Sequence, residues 1–165
     1  MDPARQLESF IAKYSPEIAA QAKAVLEKMR KRYPAALELV YDNYNALAIG
    51  FCPSERASEA IFSIAIYSKW VSLFFLQAHG LPDPDKLLKG SGRVAKHIVL
   101  PTPAMLDEPA VKTLMKEAVA RAAVPFARTG SHRLIIKSAS AKQRPRRPAD
   151  ISTKTPSKLH VKSTS

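Results

Sequence analysis

The chain has 165 residues, with 26 Lys and Arg against 14 Asp and Glu, a net charge of +12, and a single cysteine, Cys52. This length suits one domain with an appendage. No apolar run approaches the roughly 20 residues that cross a bilayer, and the first residues lack a secretory signal pattern. We therefore expect a cytoplasmic protein that does not enter a membrane. One cysteine excludes an internal disulfide and an all-cysteine metal site supplied by one chain.

Two helices are predicted at the N-terminal end of the chain. Ser15 followed by Pro16 is typical of a helix start, because Ser caps unpaired amides and Pro fits the first turn. Pro34 ends this helix, and a shorter amphipathic helix precedes it. The apolar stripes of the two helices are Leu7, Phe10, Ile11 and Tyr14, and Ile18, Ala22, Val25, Met29 and Tyr33.

The hydrophobic period changes from that of helices to that of strands after residue 36. Alternation predicts five strands, joined by connections that favour antiparallel neighbours. In the first, Leu37, Leu39 and Tyr41 alternate with more polar positions, which indicates a half-buried strand. The five predicted strands cover residues 37–42, 46–52, 60–67, 70–76 and 93–100.

The fourth predicted strand is apolar on both faces, which is typical of a strand covered on both sides. One face of it carries Trp70 and Phe74. If all helices lie on the opposite face, these two side chains form a surface for a partner or for a second copy of the chain. The alternative is that residues 131–139 cover them. A monomer and a homodimer are both compatible with the sequence.

A third long helix is predicted from the Asp107-Glu108-Pro109 start, and Leu134–Ile136 forms a short strand before the tail. The predicted fold class is α+β. An antiparallel sheet of about five strands has the two N-terminal helices and the C-terminal helix on one face. We place the domain at residues 1–140 and a disordered basic tail at residues 141–165.

The predicted tail holds seven basic residues and one acidic residue, a net charge of +6 in 25 residues. It has no aromatic residue and few apolar ones, so it cannot bury enough surface to offset its ordering entropy. Its densest part predicts weak contact with nucleic acid, and the alternative is a solvating tail. The residues of this part are Lys142, Arg144, Arg146 and Arg147.

The best ligand candidate is the segment Lys89-Gly90-Ser91-Gly92-Arg93. Glycines let successive amides converge on an anion, and the flanking cations with Lys96 add charge. The segment leads into a strand rather than a helix, so it matches neither a Walker loop nor a dinucleotide fingerprint. A plain turn is the alternative. His79 and His97 reach the same site if this loop meets the fifth strand.

The sequence gives little support for a metal site or for catalysis. His79 and His97 could join Asp83 or Asp85 as ligands, but the set lacks a third strong ligand, so the metal is unknown. Cys52 follows an apolar strand and is expected to pack, and Ser91 has no base beside it. We therefore expect a protein that is not an enzyme.

Several of these segments together resemble a known family. The segments are ELVYDNY at 38–44, WVSLFFL at 70–76, LPDP at 81–84, LLKGSG at 87–92 with Arg93 and His97, and IIKS at 135–138 with RPRR at 144–147. The combination is similar to the YdhG-like domains, small bacterial proteins mostly of unknown function, over about residues 5–147.

The resemblance implies a frataxin-like fold, and some members of the family are regarded as iron chaperones. Iron is thus the one cofactor it suggests. Frataxin's iron surface is an acidic ridge, whereas here cations dilute the acidic residues of the first helices and strand, and cations oppose iron binding. The expected function is an intracellular YdhG-like binding domain for a protein or a small ligand, with the nucleic-acid tail as the alternative.

Overall fold

The structure, a computed structural model, describes residues 1–149, and residues 150–165 lie outside the described part. Three α-helices and six strands follow one another within residues 1–149, which confirms the predicted α+β class. In chain order they are α1 (Pro3–Ile11), α2 (Pro16–Arg32), β1 (Leu37–Asp42), β2 (Leu47–Cys52), β3 (Phe62–Ile66), β4 (Val71–Phe75), β5 (Lys96–Leu100), α3 (Pro109–Arg121) and β6 (Arg133–Ala139).

The N-terminal helices begin and pack as their sequence predicts. The hydroxyl of Ser15 accepts a hydrogen bond from the amide of Ile18 at 3.3 Å, with Pro16 at the first helical position. Tyr14, just after α1, is buried, and its hydroxyl donates to the carbonyl of Ile66 at 2.6 Å. Burial raises the pKa of Tyr14 to about 12. The apolar stripes of α1 and α2 therefore anchor both helices on the sheet.

The sheet has six strands in the order β5-β4-β3-β2-β1-β6. Neighbours from β1 to β5 are antiparallel, as predicted, while β6 pairs with β1 in parallel. The sequence predicted about five strands, with Leu134–Ile136 as a short addition; that addition is a full strand of seven residues. A register irregularity between Val40 and Tyr41 accommodates it.

All three helices pack on one face of the sheet, as expected, and bury its apolar side chains in the main core. The other face, here called the open face, carries smaller residues and a second, smaller core around Leu39, Cys52 and Ala60. The helix-facing residues of β2 to β5 are Leu47, Ile49, Phe51, Phe62, Ile64, Ile66, Val71, Leu73, Phe75, Ile98 and Leu100.

Of the two alternatives for Trp70 and Phe74, cover by residues 131–139 is not observed. The C-terminal strand β6 lies elsewhere in the sheet. It lies beside β1, with β1, β2 and β3 between it and β4. Trp70 is the residue before β4 and is 43% exposed, while Phe74 is half-buried. Within residues 1–149 this part of the open face is therefore an exposed apolar surface.

β1 turns its acidic side, not its apolar side, toward the helices. Glu38 and Asp42 face α1 and α2, as does Val40 between them. Glu38 is 0% exposed and Asp42 is 1% exposed. The guanidinium of Arg30 on α2 donates to both carboxylate oxygens of Glu38, at 2.7 and 2.9 Å, and His132 is hydrogen-bonded to the same group. Leu37 and Leu39 are buried as the alternation predicts, but in the second core on the open face, while ion pairing makes burial of the acidic side possible.

The first nine residues of the predicted disordered tail are placed in the structure. Residues 141–149 form no helix or strand, but they lie against the end of α1 and the β1–β2 turn. The side chain of Arg146 is buried in that contact. The rest of the predicted tail, 150–165, falls outside the described residues.

Replacing Arg30 by Met should destabilise the fold by about 2–3 kcal/mol, because it leaves the buried carboxylate of Glu38 with a single weak partner. The measurement is urea denaturation followed by circular dichroism. Lys23→Met removes the same charge from an exposed position on the same helix and should change the free energy of unfolding by less than about 0.5 kcal/mol. Equal losses in the two variants would contradict the role of the pair.

Candidate functional site

The segment between β4 and β5, residues 76–95, folds back on itself and builds a pocket at one edge of the sheet. The amide of Ala78 donates to the carbonyl of Val94 at 2.7 Å. Lys89 and His97 exchange two backbone hydrogen bonds, at 2.8 and 2.9 Å. Asp83 accepts the amides of Leu87 and Leu88, each at 2.9 Å, so this carboxylate serves to hold the loop.

The pocket, here called the loop pocket, has a volume of about 380 Å³. Its floor is apolar, and its rim carries a guanidinium, an ammonium and an imidazole against the one carboxylate of Asp83. Gly80 and Gly90 turn the chain with φ of +73° and +110°, which residues with a side chain rarely adopt. The lining residues are Ala78, His79, Gly80, Leu81, Asp83, Leu88, Ser91, Gly92, Arg93 and Lys96.

Three backbone amides of the loop pocket have no partner among residues 1–149. They belong to Ser91, Gly92 and Arg93, none of which donates a hydrogen bond to another described group. Exposed consecutive amides next to cations are the chemistry that binds anions. The site is therefore suited to a small anionic group.

The structure brings together only part of the predicted ligand set. His79, Ser91 and Arg93 line the loop pocket. His97 lies on the open face, where its ring is 5.1 Å from that of Phe74, and Lys89 joins it through backbone contacts. Successive residues of a strand point to opposite faces of the sheet. Because Lys96 points into the loop pocket, His97 must point away from it.

Two further cations lie near the pocket: Lys96, which the sequence analysis expected beside the loop, and Arg121, which it did not name. Lys96 pairs in register with Phe75 on the helix side of the sheet, which puts its side chain in the pocket. Arg121 ends α3, and its Nη2 atom is 3.0 Å from the place that a Cβ on Gly80 would occupy. Lys96 is near the loop in sequence and was expected there, but Arg121 comes from a distant element and gives no local signal.

The predicted partner surface at Trp70 and Phe74 adjoins a shallow groove on the open face, which Phe74 lines and Trp70 does not. The Trp70 ring stacks on that of Tyr67, with 4.6 Å between centroids. Beside them a groove of about 610 Å³ runs to Tyr44 over small side chains. The buried hydroxyl of Ser72 has no hydrogen-bond partner among the described residues. This surface is open, aromatic and largely apolar.

The described residues contain no group of three or more His, Cys, Asp or Glu side chains placed to hold a metal ion. The two acidic residues of β1 are already paired with cations, Glu38 with Arg30 and Asp42 with Lys13. Cys52 is buried, and burial raises the pKa of its thiol to about 12. The paired carboxylates of β1 therefore do not offer the clustered oxygen ligands that iron needs. The raised pKa keeps the Cys52 thiol protonated at neutral pH.

The four predicted nucleic-acid contacts of the tail do not share one environment. Lys142, Arg144 and Arg147 are exposed. Arg146 is buried, and its guanidinium donates to the carboxylate of Asp42 at 2.8 Å. Three of the four side chains can therefore meet a phosphate, while the fourth holds the segment in place.

Sequence reasoning missed a second pocket between α1, α2 and the start of β6. It has a volume of about 450 Å³, with an apolar floor and His132 and Arg30 at its rim. Both of these side chains bind Glu38. Since Glu38 and His132 are far apart in the chain, no local pattern announced their contact.

No protein-family model, curated protein or solved structure matches this chain. The YdhG-like resemblance therefore stays a prediction. In the described part of the chain, no helix combines the length and the apolar character needed to span a membrane.

Replacing Asp42 by Asn should flatten the dependence of stability on acid pH. Burial alone would raise the pKa of Asp42, but hydrogen bonds from Lys13, Gln143 and Arg146 outweigh it and lower the pKa below its ordinary value. A lowered pKa stabilises the fold above the unfolded pKa, and this stabilisation is lost as the pH falls through the folded pKa, from about pH 5 downward.

We expect the Asn variant to unfold at lower urea than the wild type at pH 7, with the difference shrinking toward pH 3. Asp85→Asn, at an exposed loop position, is the control and should track the wild type at every pH. A constant difference between pH 7 and pH 3 would show that Asp42 does not carry the effect. The measurement is urea denaturation at each pH.

Proposed function

We propose that the chain is a non-enzymatic binding domain that takes up a small phosphate- or carboxylate-bearing molecule in the loop pocket. The observation that supports this most directly is the convergence of His79, Arg93 and Lys96 on one concave site. The three amides without partners lie in the same segment. The proposal includes an intracellular location and membership in the YdhG-like family, which rests on the quoted residue runs.

Charge favours an anion over a cation at this site. Asp83 is the one acidic residue that lines it, and both of its oxygens already accept backbone amides. Arg93 can grip a phosphate or carboxylate through two parallel hydrogen bonds, and Lys96 supplies a point charge beside it. A ferrous ion needs clustered oxygen ligands instead, so we do not extend the proposal to iron delivery.

Titration of the protein with pyrophosphate should show binding that weakens about ten-fold or more in the Arg93→Ala/Lys96→Ala variant, because two charge-assisted contacts are lost. Isothermal titration calorimetry measures the dissociation constants. Arg5→Ala/Lys23→Ala removes the same charge from exposed positions on α1 and α2 and is the matched control.

The control should bind pyrophosphate within about two-fold of the wild type, since α1 packs toward the β6 edge and the loop pocket lies at the β5 edge. If both double variants lose affinity equally, only net charge attracts the anion and the pocket proposal fails. Absence of binding to the wild type would also end it.

A second candidate function is weak binding of single-stranded nucleic acid. The observation that favours it is the position of Arg144, whose guanidinium carbon lies 5.8 Å from the ring centroid of Tyr44. That ring is 43% exposed and borders the aromatic groove of the open face. Aromatic rings beside cations are the features that stack bases and hold a phosphate backbone.

A short oligouridine should bind with an affinity whose logarithm falls with the logarithm of salt at a slope of about −2, from contacts by Lys142, Arg144 and Arg147. Tyr44→Leu should weaken binding about five-fold by removing a stacking ring. Tyr44→Phe keeps the ring and should bind like the wild type. Fluorescence anisotropy at several salt concentrations measures all three proteins.

Deleting residues 141–165 should abolish this binding. Equal RNA affinity in the truncated and full chains would contradict a role for the basic segment. Equal affinity in the Leu and Phe variants would contradict a role for the Tyr44 ring.

A further inference from the structure

The contact that holds residues 141–149 to the domain is centred on Arg146. Its side chain is 5% exposed, and Nη2 donates to the Asp42 carboxylate at 2.8 Å and to the carbonyl of Asn43 at 2.5 Å. Nη1 donates to the carbonyl of Tyr44 at 3.4 Å. The guanidinium carbon lies 5.7 Å from the ring centroid of Tyr14. We call this enclosure of Tyr14, Asp42 and two carbonyls the arginine socket.

The arginine socket fits a guanidinium better than an ammonium. One planar group reaches a carboxylate oxygen, two carbonyls and an aromatic face, which matches the fork geometry of arginine. The second oxygen of Asp42 is already occupied by Lys13, whose Nζ lies 2.6 Å away. Asp42 thus faces two cations when the socket is occupied, Lys13 and the guanidinium, and Lys13 remains as its partner when the guanidinium leaves.

The flanking residues are gripped mainly through the backbone of the domain. The amide of Arg144 donates to the carbonyl of Tyr44 at 2.9 Å. Gln143 donates to the carbonyl of Asp42 at 3.1 Å, and Arg147 donates to that of Lys13 at 3.1 Å. The segment thus has no helix or strand, and it is held by hydrogen bonds to domain carbonyls around one buried side chain. Peptide ligands are bound to proteins in the same way.

The contact is built to exchange. Residues 141–149 add no side chain to the hydrophobic core, so hydrogen bonds, ion pairs and cation–π contacts hold them. The Nε atom of Arg146 is buried without a hydrogen-bond partner in the described part of the chain, which weakens the docked state. Polar contacts with one unsatisfied donor make a reversible attachment rather than a permanent layer of the fold.

We propose that the arginine socket is a peptide-binding site that takes an arginine-bearing basic peptide of another protein, with residues 141–149 as its tethered competitor. The covalent link holds the chain's own Arg146 at a high effective concentration near the socket. An outside peptide therefore binds strongly only when Arg146 has left the socket. The socket and the loop pocket lie toward opposite edges of the sheet, so this activity is separate from anion binding.

The experiment uses a labelled peptide with the sequence of residues 141–149, AKQRPRRPA, and full-length protein. Fluorescence anisotropy should show at least about ten-fold tighter binding to Arg146→Ala than to the wild type, because the socket is vacated. Adding Asp42→Asn to that variant should abolish the gain. A peptide with Lys at the position of Arg146 should bind the vacated socket about ten-fold more weakly.

Arg146→Lys provides a second host, since it keeps a charge near Asp42 if the Ala variant does not fold. Failure of either folded variant to bind the peptide would overturn the proposal and make the contact a fixed part of the fold. Equal affinity for the Arg and Lys peptides would overturn it as well. Sedimentation that shows an Arg146-dependent dimer of the wild type would assign the socket to a second copy and reject an outside partner.

Discussion

Glu38 and Asp42 stand on the side of β1 that faces the helices, where neither carboxylate meets water. Glu38 is held by Arg30 and His132, and Asp42 is held by Lys13 and Arg146. A buried carboxylate without any partner is costly, so each of the two must keep at least one. Arg30 fixes α2 over β1, and Lys13 fixes the α1–α2 turn. The remaining partners, His132 and Arg146, bring in the approach to β6 and the segment after it. Electrostatics thus joins segments that the hydrophobic core alone would leave loosely attached.

This arrangement also determines which charges reach the surface. The two buried carboxylates of β1 are paired with Lys13, Arg30 and Arg146, so most of the basic excess of the chain lies elsewhere. At the β5 edge that excess lines a concave pocket through Arg93 and Lys96. On the open face it borders aromatic rings at Tyr44 and Phe74. The two surfaces differ in chemistry, one concave and cationic, the other shallow and aromatic, and they suit different ligands.

Much of the fold follows from local patterns, and most of the site does not. The capped start at Ser15 and the helical stripes depend on neighbours three or four residues away, so the sequence predicts them well. The burial of Glu38 on the helix side of β1 was not predicted, because its partners Arg30 and His132 lie outside the strand, on α2 and just before β6. Arg146 was assigned to disorder for the same reason: composition describes the segment, but its acceptors belong to Asn43 and other residues of the β1–β2 turn. Of the five ligand residues that local sequence spacing predicted, three line the loop pocket: His79, Ser91 and Arg93.

The parallel pairing of β6 with β1 has a consequence for how the chain acquires its shape during synthesis. Leu37 pairs with Arg133, so β1 emerges from the ribosome long before its outer neighbour exists. Strands β1 to β4 are neighbours in sequence and can pair as soon as the turns between them form. The outer edge of β1 stays unpaired until β6 has been synthesised. An unpaired edge of this kind is a template for pairing with other nascent chains. The basic side chains of the early helices, which repel one another between molecules, are positioned to limit that encounter.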